Sequence, residues 1–244
     1  MENRKFVITA AGGNATAIEV IDSRLSREEY EKRGVELMEE FENVEQSGFL
    51  ILKDRHFEMS GGEFCGNAAR SVAILLSDDK DEEILFTMSG FNGVIEASVK
   101  EIGPKRFFVS CFFPEFKISV TEKKFGESNV NIVDMGGIIH CVINETIPLN
   151  YEKKHKEIMD FLNLNSRDAV GVIWVEENQD SVNINPVVWV NSIDTFFYET
   201  SCGSGSIAVS KVFNINTINQ PSGGVIEVYF VENDVTLKSE MEVL

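Results

Sequence analysis

The stretch Met59-Ser60-Gly61-Gly62-Glu63-Phe64-Cys65-Gly66-Asn67-Ala68-Ala69-Arg70-Ser71 decides the fold. An extended run ends in cysteine, glycine and a polar residue, and small and apolar residues follow. That order predicts a strand feeding a helix that opens at Cys65. The stretch Tyr198-Glu199-Thr200-Ser201-Cys202-Gly203-Ser204-Gly205-Ser206-Ile207-Ala208 repeats the order around Cys202. A thiol at a helix start sits beside unpaired backbone N–H groups and the positive end of the dipole. That setting is expected to lower the thiol pKa and to attract an anion. Two such sites in one chain point to thiols that work as a pair.

Around the first cysteine the chain reads mostly as strands. Phe6 to Thr9, Thr16 to Ile21, Phe49 to Leu52 and His56 to Met59 precede it; Gly12-Gly13-Asn14 makes a turn. Ser26 and Glu29 form a capping box that opens a helix carrying Tyr30, Leu37, Met38 and Phe41. After Cys65, a buried helix face of Ala68, Val72, Ala73, Leu75 and Leu76 is expected to end at Asp78-Asp79-Lys80-Asp81. Phe86 to Ser89, Gly93 to Val99 and Phe107 to Phe112 read as further strands. Residues 113 to about 129 read as a connection, with a short strand inside it at Phe116 to Val120.

The pattern then restarts. Asn131 to Gly137 parallels the opening strand and its glycines, and Ile138 to Ile143 parallels Asn14 to Ile21. A helix over Tyr151 to Leu162, strands at Ala169 to Val175 and Pro186 to Val190, the Cys202 helix and Ser222 to Val228 complete the second pass. Landmarks recurring in fixed order signal duplicated architecture. The expected organisation is a half at 1–114 carrying Cys65 and a half at 115–238 carrying Cys202. A last strand near 239–244 falls outside the repeat and returns to the first half. A pseudo-two-fold axis would bring the two cysteine-bearing helix starts face to face.

Composition bounds what such a molecule contacts. The 244 residues suffice for a sizeable core, and 43% hydrophobic with 25% charged residues is usual for a soluble globular chain. A net charge of −18 argues against nucleic-acid or anionic-membrane surfaces. The absence of a signal-like or membrane-spanning run leads to a cytoplasmic expectation. The four cysteines lack zinc-ligand spacing. Cys111 and Cys141, on apolar strands, read as inert packing.

Opposed thiols suit stereoinversion at a carbon next to a carboxylate. A thiolate removes the α-proton and a thiol delivers one to the opposite face; the reverse reaction exchanges the roles. Helix N-termini would hold the carboxylate and stabilise charge developing on it.

With these motifs the chain resembles the two-cysteine, cofactor-independent amino-acid racemases and epimerases typified by diaminopimelate epimerase. The matching stretches are Gly12-Gly13-Asn14, Glu45-Gln46, Cys65 to Arg70, Met135-Gly136-Gly137 with His140 to Ile143, Glu199 to Gly205, and Pro221 to Gly224. The resemblance implies an α/β (α+β) fold of two pseudo-symmetric halves, each a curled sheet around a central helix. It implies an isomerase with no pyridoxal phosphate, metal or other cofactor. Its acid–base pair would be Cys65 and Cys202. Asn14, Gln46, Gly66, Asn67, Gly203 and Ser204 would line the pocket, His140 would poise a thiol and Glu199 would orient its loop. The partner would be an amino acid as small-molecule substrate, and a homodimer is consistent with the family. The positions matching the family's grip on a distal amino-acid end are Glu58, Gly137, Ala169, Asp194 and Thr195, without its arginine, which argues against diaminopimelate. The Cys65 and Cys202 motifs are more similar to histidine racemases of staphylopine-type pathways, and Glu45 would then pair with an imidazole. Diaminopimelate, another amino acid, or a silent amino-acid-binding relative are the competing readings. Phenazine-type isomerases share the fold but lack the cysteine pair.

Overall fold

A computed structural model describes residues 4–41, 43–77, 83–191 and 194–244. The described residues form one 16-stranded sheet and four α-helices. The first pass runs β1 (Lys5–Ala10), β2 (Gly13–Ile21), α1 (Arg27–Glu40), β3 (Val44–Ile51), β4 (His56–Met59), α2 (Gly66–Leu76), β5 (Ile84–Met88), β6 (Ile95–Gly103) and β7 (Arg106–Phe113). After β8 (Ser119–Phe125) the second pass runs β9 (Ser128–Asp134), β10 (Ile139–Ile143), α3 (Tyr151–Leu162), β11 (Ala169–Glu177) and β12 (Val182–Val190). It ends with β13 (Thr195–Tyr198), α4 (Gly203–Phe213), β14 (Thr217–Asn219), β15 (Val225–Val231) and β16 (Asp234–Val243).

The duplication is visible in strand direction. Parallel pairs β2–β3 and β4–β5 in the first pass match parallel β10–β11 and β12–β14 in the second; the remaining neighbours are antiparallel. Strand β16 pairs with β7 over Val235–Glu242, with β15 on its other side, and at its end with β1. The first seven strands and β16 therefore close into a ring around α2. The second set curls around α4 and ends at β8. Mixed α+β, mostly sheet, is the fold class the residues predict.

Each central helix is buried on nearly every side, as its apolar and small residues require. In α2, Gly66 through Ile74 are all buried; in α4, Gly203 through Ser210 are. Two buried serines inside them are satisfied locally. The Ser71 hydroxyl donates to the Asn67 carbonyl (3.1 Å) and Ser206 to that of Cys202 (2.6 Å), four residues back. The outer helices bury one stripe. Helix α1 has the predicted Ser26–Glu29 capping box and buries Tyr30, Gly34 and Leu37. Helix α3 buries His155, Ile158, Met159 and Leu162, at i, i+3, i+4 and i+7.

Three local readings change. The stretch read as a connection holds all of β8, and Gly126 (φ 63°) makes the tight turn into β9. Strand pairing begins at Ser119, because Phe116 is instead buried against the rings of Phe64, Phe91 and Phe113. Within the stretch Ser222 to Val228 the strand starts at Val225, after a turn in which Gly223 N–H bonds the Gln220 carbonyl. Short strands β13 and β14 carry no alternation long enough to announce them. The predicted helix stop at Asp78-Asp79-Lys80-Asp81 lies outside the described residues.

Candidate active site

The heads of α2 and α4 meet. A Cβ added at Gly203 would lie 3.0 Å from Asn67 Oδ1 and 3.1 Å from its backbone nitrogen, so only glycine permits the approach. Asn67 joins the helices, its Nδ2 donating to the Ser201 carbonyl at 2.9 Å. Cys65 and Cys202 are the N-caps of the two helices. The Cys65 sulfur accepts from the Ala68 N–H (3.4 Å), and Cys202 accepts from that of Gly205 (3.2 Å). All four cysteines are free and buried.

Both active-site thiols face one cavity of about 350 Å³. Gln46, Gly66, Asn67, Gly203 and Ser204 line it, and so do Glu45 and Glu199. A chain of side chains connects the thiols. Cys65 Sγ donates to Gln46 Oε1 (3.0 Å), Gln46 Nε2 donates to Glu199 Oε1 (3.4 Å), and the Glu199 carboxyl bonds the Cys202 thiol.

Two expected residues sit behind the cavity wall. Asn14 Oδ1 accepts from the Thr200 and Ser201 N–H groups (3.1 and 3.3 Å), and so fixes the loop that delivers Cys202. His140 does not contact a cysteine directly. Its Nε2 is 2.9 Å from Ser204 Oγ, which lies 3.7 Å from Cys202 Sγ. Its ring packs over Gly171, where a Cβ would come within 2.1 Å of Nδ1. Of the positions matching the family's distal grip, Ala169 lines the cavity. Glu58 is taken by Arg27 (2.7 Å) and His56 (3.0 Å), and Asp194 accepts from the Trp189 indole (2.9 Å).

The expectation of acidic thiols is reversed. Burial pushes Cys65 up to about 12 and raises Cys202 well above the ordinary thiol value; the Glu199 carboxylate adds to both effects. Desolvation outweighs the N–H bonds at the helix heads. Cys111 and Cys141 are likewise pushed up to about 12 by burial, as fits packing residues. The carboxyls move the same way. Burial lifts Glu45 and Glu199 to about 7 and raises Glu63. His140 is pushed down to about 3 by burial and stays neutral.

Sequence reading missed part of the wall. Glu63 lines the cavity with a buried Oε2 that has no hydrogen-bond partner; Glu45 Oε2 is in the same condition. Its place two residues before Cys65 was the available signal. Val188 and Val190 of β12 and Phe197 of β13 supply apolar surface. Phe196 and Tyr198 leave it, packing against His155 and Tyr151. Helix α1 contributes Glu31, Lys32, Val35 and Met38 at the rim.

Known proteins share the fold and define the family. A predicted epimerase from Pseudomonas aeruginosa superposes with a TM-score of 0.66, 13% identity and coverage of 100% of this chain and 97% of that one. A phenazine biosynthesis PhzF-family protein from Enterococcus faecalis gives 0.59, 16%, 99% and 97%. At these identities the likeness is one of fold. The chain is 34% identical to the histidine racemase of Fusobacterium nucleatum over 207 residues, covering 78% of this chain and 75% of that protein. It is 22% identical to the histidine racemase of Staphylococcus aureus over 207 residues, covering 75% and 72%. The chain is thus an isomerase of the racemase and epimerase class. Residues 4–240 match the histidine racemase CntK N-terminal domain model, and the chain belongs to that family.

Proposed function

We propose that this protein racemises histidine by a two-base mechanism in which Cys65 and Cys202 exchange the α-proton. The observation that carries the reading is the juxtaposition of two cysteine N-caps on abutting helix heads in one cavity. The substrate carboxylate sits at the helix N-termini, whose N–H groups and dipoles favour negative charge that grows as the α-proton leaves. One sulfur, as thiolate, takes that proton. The other, as thiol, gives one to the opposite face. The pair carries one negative charge before and after, so reversal only swaps the sulfurs. Because burial disfavours both thiolates, ionisation is coupled to substrate, whose ammonium supplies an adjacent positive charge.

The rest of the cavity favours an imidazole. Glu45 and Glu63 offer unpaired buried acceptors opposite apolar Val188, Val190 and Phe197. Among the described residues the one cation on the cavity wall, Lys32, is an exposed rim residue 4.0 Å from Glu36. The second carboxylate of a diamino diacid would therefore lack a buried partner. The family's relatives named as histidine racemases support the same substrate.

Incubation in heavy water with L-histidine, diaminopimelate and other L-amino acids tests the reading. The expected result is α-deuterium and D-enantiomer in histidine. Exchange confined to another amino acid overturns the substrate. Cys65→Ala and Cys202→Ala should each reduce racemisation by at least about 10³-fold, since each removes a proton carrier. Full activity in either variant overturns the mechanism.

A further inference from the structure

Arg70 is wholly buried in α2, yet neither Nε nor Nη1 has a hydrogen-bond partner. Its Nη2 donates to Asn67 Oδ1 at 2.6 Å. Side chains on a helix lean toward its N-terminus, so this bond places the guanidinium beside the first turn of α2. Asn67 in turn donates to Ser201, next to Cys202, and lies within 3.1 Å of the Cβ position at Gly203. The guanidinium therefore stands behind the junction of the two helix heads. A buried guanidinium normally requires an anion. Burial pulls Arg70 down to about 10, against which three thiols hold it up, Cys111 on β7 first, then Cys65 at the head of α2 and Cys202 at the head of α4; the guanidinium in turn lowers Cys111.

We propose that Arg70 is the fixed countercharge for the single negative charge passed between Cys65 and Cys202. The proposal rests on the two-thiol reading above. Its physical logic is symmetry. The reaction leaves one thiolate on the pair whichever direction it runs, so a stationary cation behind both helix heads serves both half-reactions. It offsets part of the burial penalty that the cavity imposes on each sulfur. The other ionisable groups facing the thiols, Glu63 and Glu199, are carboxyls and oppose ionisation; neutral His140 reaches Cys202 only through Ser204. Arg70 does not touch the substrate. It is a supporting charge, held in place by Asn67.

The test is the pH dependence of Cys65 and Cys202 alkylation by iodoacetamide, located by mass spectrometry, in the full chain without substrate. Arg70→Gln and Arg70→Met should move the midpoint upward by about one unit, slowing alkylation about tenfold at a fixed pH below it. Arg70→Lys, which keeps the charge, should stay within about threefold of wild type. Cys111→Ala should leave the midpoint in place. An unshifted midpoint in a folded neutral variant overturns the proposal. So does a Cys111→Ala shift as large as that of Arg70→Gln, which would assign the guanidinium to Cys111. A rise in KM with unchanged alkylation would assign it to the substrate carboxylate and has the same consequence. Loss of fold in both neutral variants reduces Arg70 to packing and also overturns it. Because alkylation requires no turnover, a shifted midpoint without histidine exchange leaves this proposal standing while the substrate assignment fails.

Discussion

At the scale of single residues, burial decides the chemistry more than sequence neighbours do. Cys65 and Cys202 stand at helix starts, as their flanking glycines predict, but the same packing that brings the heads together withdraws water from the sulfurs. The sequence reveals the helix start and not the depth of burial, so the direction of the pKa shift was not legible. Asn14, Gln46, Asn67 and Ser204 were legible as neighbours of the thiols through their motifs. Which of them faces the cavity and which supports it depends on loops that meet only in three dimensions. Ser204 illustrates the difference. Its hydroxyl is the partner of the buried His140 Nε2, while His140 Nδ1 has no hydrogen-bond partner. Ser204→Ala should leave both ring nitrogens unsatisfied and cost about 1–3 kcal/mol of stability. Urea unfolding at pH 7 measures this; an unchanged midpoint would show that the hydroxyl is dispensable to the histidine.

At the scale of elements, the helices and most strands were readable because local signals were strong. Helix α1 begins where the Ser26–Glu29 box places it, and α3 spans the residues its place in the repeat marks. Strands β13 and β14 were not readable, since four and three residues give too little alternation and long-range pairing to β12 holds both. The contact between α2 and α4 likewise has no local signature beyond glycine. Gly203→Ala puts a methyl group 3.0 Å from Asn67 Oδ1 and 3.2 Å from the Gly66 carbonyl carbon. Neither backbone can yield without separating the helix heads. The variant should lose about 1–3 kcal/mol of stability. It should also lose kcat by about 10²-fold, because the sulfurs would no longer bracket one carbon. Steady-state kinetics beside thermal melts test this; loss of stability with full kcat would mean that head-to-head spacing does not set the rate.

At the scale of the whole molecule, duplication was legible as an ordered recurrence of landmarks, whereas closure was not. Strand β16 joins the two passes within the one sheet, and its pairing with β1 joins positions near opposite ends of the described chain, a relation that no local pattern encodes. The closed interior has a consequence for stability against pH. Buried His140 and His155 are pushed down to about 3 and 4, so the unfolded chain takes up protons there first, and stability falls as pH drops below about 6.5. Glu45 and Glu199 are raised to about 7 and Glu63 is raised too, so the folded chain holds their protons longer. Their contribution is complete below the ordinary carboxyl value of 4.5 and is lost as pH rises through about 7. Between about pH 4.5 and 6.5 the two sets oppose each other, and the melting temperature of the wild-type protein should change little. Replacing Glu45 and Glu199 together by glutamine removes most of one side of that balance. The melting temperature of the double variant should then climb with pH across this window, driven by the two histidines. Scanning calorimetry of both proteins from pH 4 to 8 makes the comparison. A double variant that stays as flat as wild type would show that the carboxyls are not protonated in the folded cavity.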